Sequence, residues 1–166
     1  MRQSIEELKI TLMSSVLQNY LAEATLKGAA DLETALLRVP EDKRLWSPMG
    51  DARSAADMVA ECAILHKNTA RTIENRAFPE DFDWMSYVNE KDALARKTEE
   101  LLPLLHQNAA LVASVIRAVL DEDLEAPVQM PWRPMTVTEL MSYPSWNMSY
   151  HEGQINYIAS MLGCLK

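Results

Sequence analysis

The sequence predicts an all-α protein with the architecture of a four-helix bundle. Four long segments carry apolar residues at helical spacing, and three connections that contain proline, glycine or aromatic residues separate them. No segment shows the alternation of apolar and polar residues that is typical of a strand. Hydrophobic residues make up 48% of the 166 residues and only 4 residues are glycine, which favours a well-packed helical core. Four helices and three loops are most simply arranged as a bundle within a single domain, 1–166.

The first two predicted helices span 5–37 and 54–75. The first carries apolar residues at the three- and four-residue steps of one helical face: Ile5, Leu8, Leu12, Val16 and Leu17. Gly28 lies inside it and is a candidate kink or break, since glycine is unfavourable in a helix interior. Ser54 is the predicted N-cap of the second helix, with Asp57 as the acidic half of a capping box. The connection between the two helices contains the turn residues Pro40, Pro48 and Gly50.

The third predicted helix follows an aromatic connection, 76–90, which contains Pro79, Phe82, Trp84 and Tyr87. A loop of this composition covers the edge of a core or lines a pocket, and the sequence favours neither. Asp92 is the predicted cap of the third helix, which reaches Leu120. Pro103 within this helix requires a kink or a later start, because proline lacks the N–H group and clashes with the preceding turn.

The fourth predicted helix is capped by Thr136 or Thr138 and runs to Leu162. Gly163 is expected to terminate it. The connection that precedes it, 121–134, contains three prolines and an acidic run. This last helix therefore completes the predicted bundle.

The net charge and the two cysteines indicate which partners and which kinds of cysteine site the protein does not have. A net charge of −8 argues against a nucleic-acid backbone or an anionic membrane surface as partner, because both attract basic patches. Cys62 and Cys164 form no CxxC pair and lie at apolar helical positions, so we predict reduced core thiols. Met1 leads into a charged amphipathic segment, and no apolar run approaches the roughly 20 residues that span a bilayer. We expect a cytoplasmic protein that binds neither nucleic acid nor membrane.

Three polar side chains lie on the apolar face of the last helix. On a helix that turns about 100° per residue, Asn147, His151 and Gln154 fall within about 60° of one another. The same face carries Ile155, Ile158, Met161 and Leu162. Burial of a polar group without a partner costs about 1–3 kcal/mol. The sequence therefore predicts a buried network, a ligand or a metal ion at this face.

The second helix carries a carboxylate at the edge of its own apolar face. Glu61 lies on one shoulder of the face formed by Met58, Cys62, Leu65 and Thr69. His66 lies on the other shoulder, about 140° from Glu61 on a helical wheel, so the two are not expected to share a site. We expect His66 to pair with a neighbouring acid or to meet solvent.

These segments resemble the DinB/YfiT-like superfamily of four-helix bundles. The resemblance rests on SAADMVAE at 54–61 and on the N-x-x-x-H-x-G-Q-I pattern at 147–155. It extends to WSP at 46–48 and to YIASMLG at 157–163, so that in outline it spans nearly the whole chain. The H-x-G-Q-[IL] element is moderately specific, and the remainder is a similarity of pattern.

The resemblance implies a metal site with an altered ligand set. Members typically hold a divalent ion with three histidines, one from the second helix and two from the last helix at i and i+4. Glu61, Asn147 and His151 occupy those positions here, so two of the three histidines are replaced. The resemblance implies these three as metal ligands and Ni, Zn, Mn or Fe as the ion. It implies that Gln154 orients the ligands without binding the ion itself. The alternative is a site without metal, in which Glu61 accepts hydrogen bonds from Asn147, His151 or Gln154.

The resemblance leaves two functions open. The first is a metal-dependent thiol transferase or hydrolase-type activity of unknown substrate, in which the ion would activate a low-molecular-weight thiol such as bacillithiol or mycothiol. The second is a non-catalytic, metal-free dimeric bundle that acts as a small-molecule-binding or stress-related accessory protein. A homodimer and a small-molecule or thiol substrate are the partners implied.

Overall fold

A computed structural model describes residues 16–165 and shows a bundle of four long helices. The long helices are α1 (Val16–Arg38), α2 (Ala55–Asn75), α4 (Thr98–Ala118) and α5 (Val137–Met161), and a shorter helix, α3, spans Trp84–Ala95. A two-stranded antiparallel sheet precedes α5, with β1 at Pro127–Val128 and β2 at Met135–Thr136. The predicted all-α, four-helix-bundle architecture is confirmed.

Around the bundle the long helices follow the order α1, α4, α2, α5, and each packs against the two beside it. The consecutive helices α1 and α2 therefore lie on a diagonal, as do α4 and α5. Helices α2 and α5, which carry the predicted site residues, are direct neighbours. Their shared interface is where a site built from both helices can form.

Helix α1 is continuous through Gly28, so the predicted kink or break is wrong. A Cβ atom on Gly28 would lie 3.0 Å from Cε and 3.4 Å from Cβ of Met148 on α5. The glycine is therefore needed for the close approach of two neighbouring helices rather than for a change of direction. The predicted first residues of this helix, 5–15, lie outside the described part of the chain.

Helix α5 has well-formed ends. Thr136 is its N-cap and forms a complete capping box with Glu139, whose N–H donates to Thr136 Oγ1 at 3.1 Å. The Glu139 carboxylate in turn accepts from the Thr136 N–H at 2.9 Å. The helix continues through Pro144 and ends at Met161, followed by Gly163 with a φ of 74°. That left-handed conformation is readily adopted by glycine, which confirms Gly163 as the stop.

The predicted third helix from Asp92 to Leu120 is wrong at its start. Asp92 lies inside α3, whose N-cap is Asp83, and Arg96 and Lys97 separate α3 from α4. Much of the predicted aromatic loop 76–90 is therefore helical. Its aromatic residues obscured the helical pattern because Phe78, Phe82 and Trp84 pack on one another and on Trp132 of the β1–β2 turn, while Tyr87 packs against the core.

Helix α4 is the one described helix that satisfies a length and hydropathy criterion for a membrane span. A core helix of a bundle satisfies the same criterion. Helix α4 buries one face against α1 and α2, with the side chains of Leu101, Leu105, Val112 and Ile116. Its apolar character is accounted for by this packing.

Candidate functional site

Glu61 of α2 and His151 of α5 meet at the interface between their helices. Nε2 of His151 lies 3.0 Å from Oε1 of Glu61, and Nδ1 of His151 lies 2.7 Å from Oε1 of Gln154. Asn147, one turn earlier on α5, donates through Nδ2 to Oε1 of Glu61 at 3.4 Å. The His151 side chain is 5% exposed and the Glu61 side chain 19% exposed. The structure therefore brings all four predicted site residues together.

The predicted burial of Gln154 is wrong. Asn147 and His151 are buried, but Gln154 is exposed and reaches back to the His151 ring from the surface. Met161, two turns further on, is also 46% exposed. Ile155, Ile158 and Ala159 stay buried beyond Gln154, so the buried face of α5 lies to one side of Gln154 and Met161.

Arg53 is a member of the site that the sequence prediction missed. Its Nη1 lies 2.5 Å from Oε2 of Glu61, and its Nε pairs with the carboxylate of Asp57. Asp57 also pairs with Lys91 of α3, so its side chain does not close the predicted capping box. Ser54 is nevertheless the N-cap and accepts from the Asp57 N–H at 3.3 Å. The spacing of Arg53, Asp57 and Glu61 by four residues is the sequence signal that could have revealed this chain of ion pairs.

The two carboxylates of this network are ionised at neutral pH. Burial alone would raise the pKa of Glu61, but the hydrogen bond from His151 and the charge of Arg53 outweigh it and hold the pKa below its usual value. Burial is likewise outweighed at Asp57, where hydrogen bonds from Lys91 and Arg53 lower the pKa. An ionised carboxylate only accepts hydrogen bonds, so Nε2 of His151 donates to Glu61.

The carboxamide of Gln154 contacts the second nitrogen of the His151 ring. Oε1 of Gln154 lies 2.7 Å from Nδ1, and Nε2 faces Oε1 of Glu61 at 3.0 Å. A carboxamide can present either its oxygen or its NH₂ group to a ring nitrogen. Both nitrogens of the His151 ring therefore have a polar side-chain partner, one from α2 and one from α5 itself.

A cysteine and two tyrosines border the carboxylate of Glu61. Burial, reinforced by the negative charge of Glu61, raises the pKa of Cys62, Tyr87 and Tyr143. Sγ of Cys62 lies 3.8 Å from Oδ1 of Asn147, and the side chain is fully buried. A buried, protonated thiol is a poor nucleophile. Cys62 is thus the reduced core thiol that was predicted, and Cys164 is also free and partly buried.

The donor set, as arranged, does not fit a divalent metal ion. Oε2 of Glu61 is engaged by Arg53 and Oε1 by His151 and Asn147, so a cation would have to displace a guanidinium. Within residues 16–165, no group of three or more His, Cys, Asp or Glu side chains is arranged to hold a metal ion. The role of Glu61, Asn147 and His151 as metal ligands stays a prediction.

His66 lies apart from this network, on the opposite shoulder of α2 as predicted. The expectation that it pairs with an acid or meets solvent is wrong, since the residue is 1% exposed. Neither ring nitrogen has a hydrogen-bond partner of normal geometry among the described residues. Burial lowers the pKa of His66 to about 4, against a smaller opposing effect of the Pro144 backbone. His66 is therefore a neutral core residue.

A cavity of about 800 Å³ opens beside the network. The α1–α2 connection and the last turns of α5 supply its apolar lining, which includes Trp46, Met49, Met58, Tyr150, Tyr157 and Met161. Arg53 and Gln154 lie in its wall and link it to the buried Glu61–His151 pair. Gly153 also lines it, and a Cβ atom there would have nothing within 4 Å. The sequence prediction did not locate this cavity, because its lining comes from segments far apart in the chain.

Two solved structures are similar to this chain over most of their lengths. One is a DinB-like protein, YjoA, from Bacillus subtilis, at 12% identity, with a TM-score of 0.62 over 87% of this chain and 92% of that chain. The chain has the DinB/YfiT-like fold. A second DinB/YfiT-like structure, the colibactin self-resistance protein ClbS in complex with double-stranded DNA, is 16% identical. Its TM-score is 0.62 over 86% of this chain and 95% of that chain.

The similarity defines the DinB-like fold and not an activity, because both identities are low. No protein-family model and no curated protein sequence matches the chain. Within the DinB-like bundle, the network of Arg53, Glu61, Asn147 and His151 lies between α2 and α5, at the position that the resemblance gives to the metal site.

Proposed function

We propose that the protein binds a small molecule in the cavity beside Arg53 and Gln154, and that it does so without a resident metal ion. The volume of about 800 Å³ lies within the range of about 300–1,000 Å³ that is typical of ligand pockets. The lining combines apolar and aromatic side chains with a few polar groups, as such pockets do.

The contact between the cavity and the buried network is the observation that carries this proposal. Arg53 and Gln154 each have one side in the cavity wall and the other bonded to the Glu61–His151 pair. A ligand that bonds either side chain alters the partners of a buried carboxylate or imidazole. Binding can thereby be coupled to the charge of the network, without a nucleophile or a metal.

A pair of substitutions at Gly153 tests the proposal. Gly153→Trp places a large side chain in the cavity, whereas Gly153→Ala adds one methyl group in open space. We expect aromatic fragments, screened by saturation-transfer NMR, to bind the wild type and Gly153→Ala and not Gly153→Trp. Equal binding to all three, or no binding to the wild type, would contradict the proposal; circular dichroism establishes that each variant is folded.

The metal-dependent thiol transferase or hydrolase is the second candidate. The convergence of Glu61, Asn147 and His151 supports it, although a metal would require that Arg53 leave the carboxylate. Elemental analysis of protein purified without a histidine tag, with and without added Mn, Ni and Zn, tests it. One equivalent of metal that is lost in Glu61→Ala and retained in His66→Ala would favour this candidate over the first.

We also propose that the protein forms a homodimer and that it binds neither nucleic acid nor a membrane. Large exposed aromatic side chains outside the cavity, Trp146 of α5 and Tyr20 of α1, are the kind of surface that a second subunit covers. The DNA in the ClbS complex is a ligand of ClbS, and the net charge of −8 weighs against it for this chain. Light scattering after size-exclusion chromatography, on wild type and Trp146→Ser, tests the dimer.

A further inference from the structure

We infer that the ligand of this cavity is a hydrophobic organic cation, of the class that includes quaternary ammonium and phosphonium ions and protonated aromatic amines. The inference rests on the proposed binding function and names its ligand class. Three features support it: the aromatic rings that line the cavity, the charges in the cavity wall and the net charge of the whole chain.

The aromatic lining offers the cation a suitable surface. Trp46, Tyr150 and Tyr157 all border the cavity, and tryptophan and tyrosine faces attract cations through their ring quadrupole. The remaining apolar lining is rich in methionine, whose polarisable and flexible side chain adapts to ligands of irregular shape. A cation with apolar substituents satisfies both kinds of side chain.

The charges in the cavity wall favour a cation over an anion. Arg53 and Asp51 are the charged residues that line the cavity. The guanidinium of Arg53 is neutralised on its other side by the carboxylates of Asp57 and Glu61. Asp51 is exposed and forms no ion pair among residues 16–165. The cavity therefore presents one uncompensated carboxylate to its ligand.

The charge of the whole chain acts in the same direction. A net charge of −8 raises the local concentration of cations and repels anions, an effect that weakens with added salt. An anion of the same size and shape would lose the aromatic attraction and meet repulsion from Asp51. Size and hydrophobicity alone do not distinguish the two ions, so a matched pair of probes isolates the charge.

Tetraphenylphosphonium and tetraphenylborate are such a pair, and isothermal titration calorimetry measures both. We expect the phosphonium to bind at least about tenfold more tightly than the borate. Asp51→Asn is expected to weaken phosphonium binding by about three- to tenfold, and the matched control Asp81→Asn, exposed but outside the cavity, to leave it unchanged. Tyr157→Leu, which keeps apolar bulk and removes the ring, is expected to weaken the phosphonium more than neutral triphenylphosphine oxide.

The outcomes separate the ligand class from the binding function. Borate binding as tight as phosphonium binding, abolished in Gly153→Trp, would overturn the cation inference and leave the proposed function intact. Phosphonium binding that is unchanged in Asp51→Asn and Tyr157→Leu would also overturn it, as would phosphonium binding that survives in Gly153→Trp. Absence of binding by the phosphonium, the borate and the neutral oxide would overturn the inference, and the fragment screen on Gly153→Trp then decides the proposed function separately.

Discussion

His151 of α5 donates to the carboxylate of Glu61 of α2 over 3.0 Å, from a position that is almost fully buried. The pair joins two neighbouring helices at the place where the sequence resemblance implies a metal ion. Arg53 holds the second carboxylate oxygen. The positive charge that an ion would bring to Glu61 is thus already supplied by the side chains of the protein itself.

Replacement of the carboxylate by an amide is expected to destabilise the fold. In Glu61→Gln, His151 and Arg53 lose the charged partner that both bond, and a buried polar group left without a good partner costs about 1–3 kcal/mol. Urea denaturation at pH 7 measures the change in the free energy of unfolding. Glu80→Gln, at an exposed position, serves as the control and is expected to change little. A Glu61→Gln midpoint equal to that of the wild type would contradict this role of the pair.

His66 is expected to make the fold acid-sensitive. Its pKa is lowered from 6.5 to about 4 by burial, so the unfolded chain binds the proton more tightly than the folded chain. Stability therefore rises with pH from about 4 to 6.5 and is lost as the pH falls through this window, by about 3 kcal/mol in total. The urea midpoint of the wild type should fall steeply as the pH is lowered from 7 to 4.5, and that of His66→Leu should fall less steeply.

The carboxylates act in a lower pH window, which allows the two effects to be separated. The pKa values of Glu61 and Asp57 are lowered in the fold, so their stabilisation is present above the ordinary pKa values of 4.5 and 3.8 and is lost as the pH falls below them. The control for His66 is His106→Gln, which removes a half-buried histidine that pairs with Glu33. An acid response that persists unchanged in His66→Leu would contradict the assignment to His66.

Gly153→Ala is expected to stabilise the protein by about 1 kcal/mol, because alanine is that much more favourable than glycine inside a helix. A Cβ atom at this position has nothing within 4 Å, so no packing cost opposes the gain. Gly28→Ala is the matched comparison, since its methyl group would meet Met148 Cε at 3.0 Å. Thermal unfolding should give a higher midpoint for Gly153→Ala than for Gly28→Ala; the reverse order would contradict the close approach of α1 and α5.

Restoration of the missing histidines is expected to create a metal site. The side chains of Asn147 and His151 both lie within hydrogen-bond distance of the Glu61 carboxylate, and imidazole is a better ligand for Ni and Zn than an amide or a paired carboxylate. The double variant Glu61→His/Asn147→His should therefore take up one equivalent of metal in elemental analysis, and the wild type none under the same conditions. One equivalent in the wild type would instead support the metal-dependent candidate.

The bundle was predictable from residue spacing along regular helices. The helical repeat places Asn147 and His151 on one face of α5 and Glu61 at the edge of a face of α2, and the family resemblance implied that these two faces meet. The exposure of Gln154 and the burial of His66 were not predictable, since a helical wheel does not show how far the neighbouring helices cover each side of a helical face. Arg53 precedes the helix, and its four-residue spacing to Asp57 and Glu61 is the signal by which it could have been found.

The diagonal placement of α1 and α2 has a consequence for how this protein can vary. To pass from Arg38 to Ala55, the chain must cross the end of the bundle, and this crossing carries Trp46 and Asp51 over the opening of the cavity. Trp46 also packs against the helical core from this crossover, whereas Asp51 is exposed. Changes at the exposed positions of the crossover would therefore alter what the cavity accepts while the packing of the four helices, and the Glu61–His151 pair within it, stays as it is.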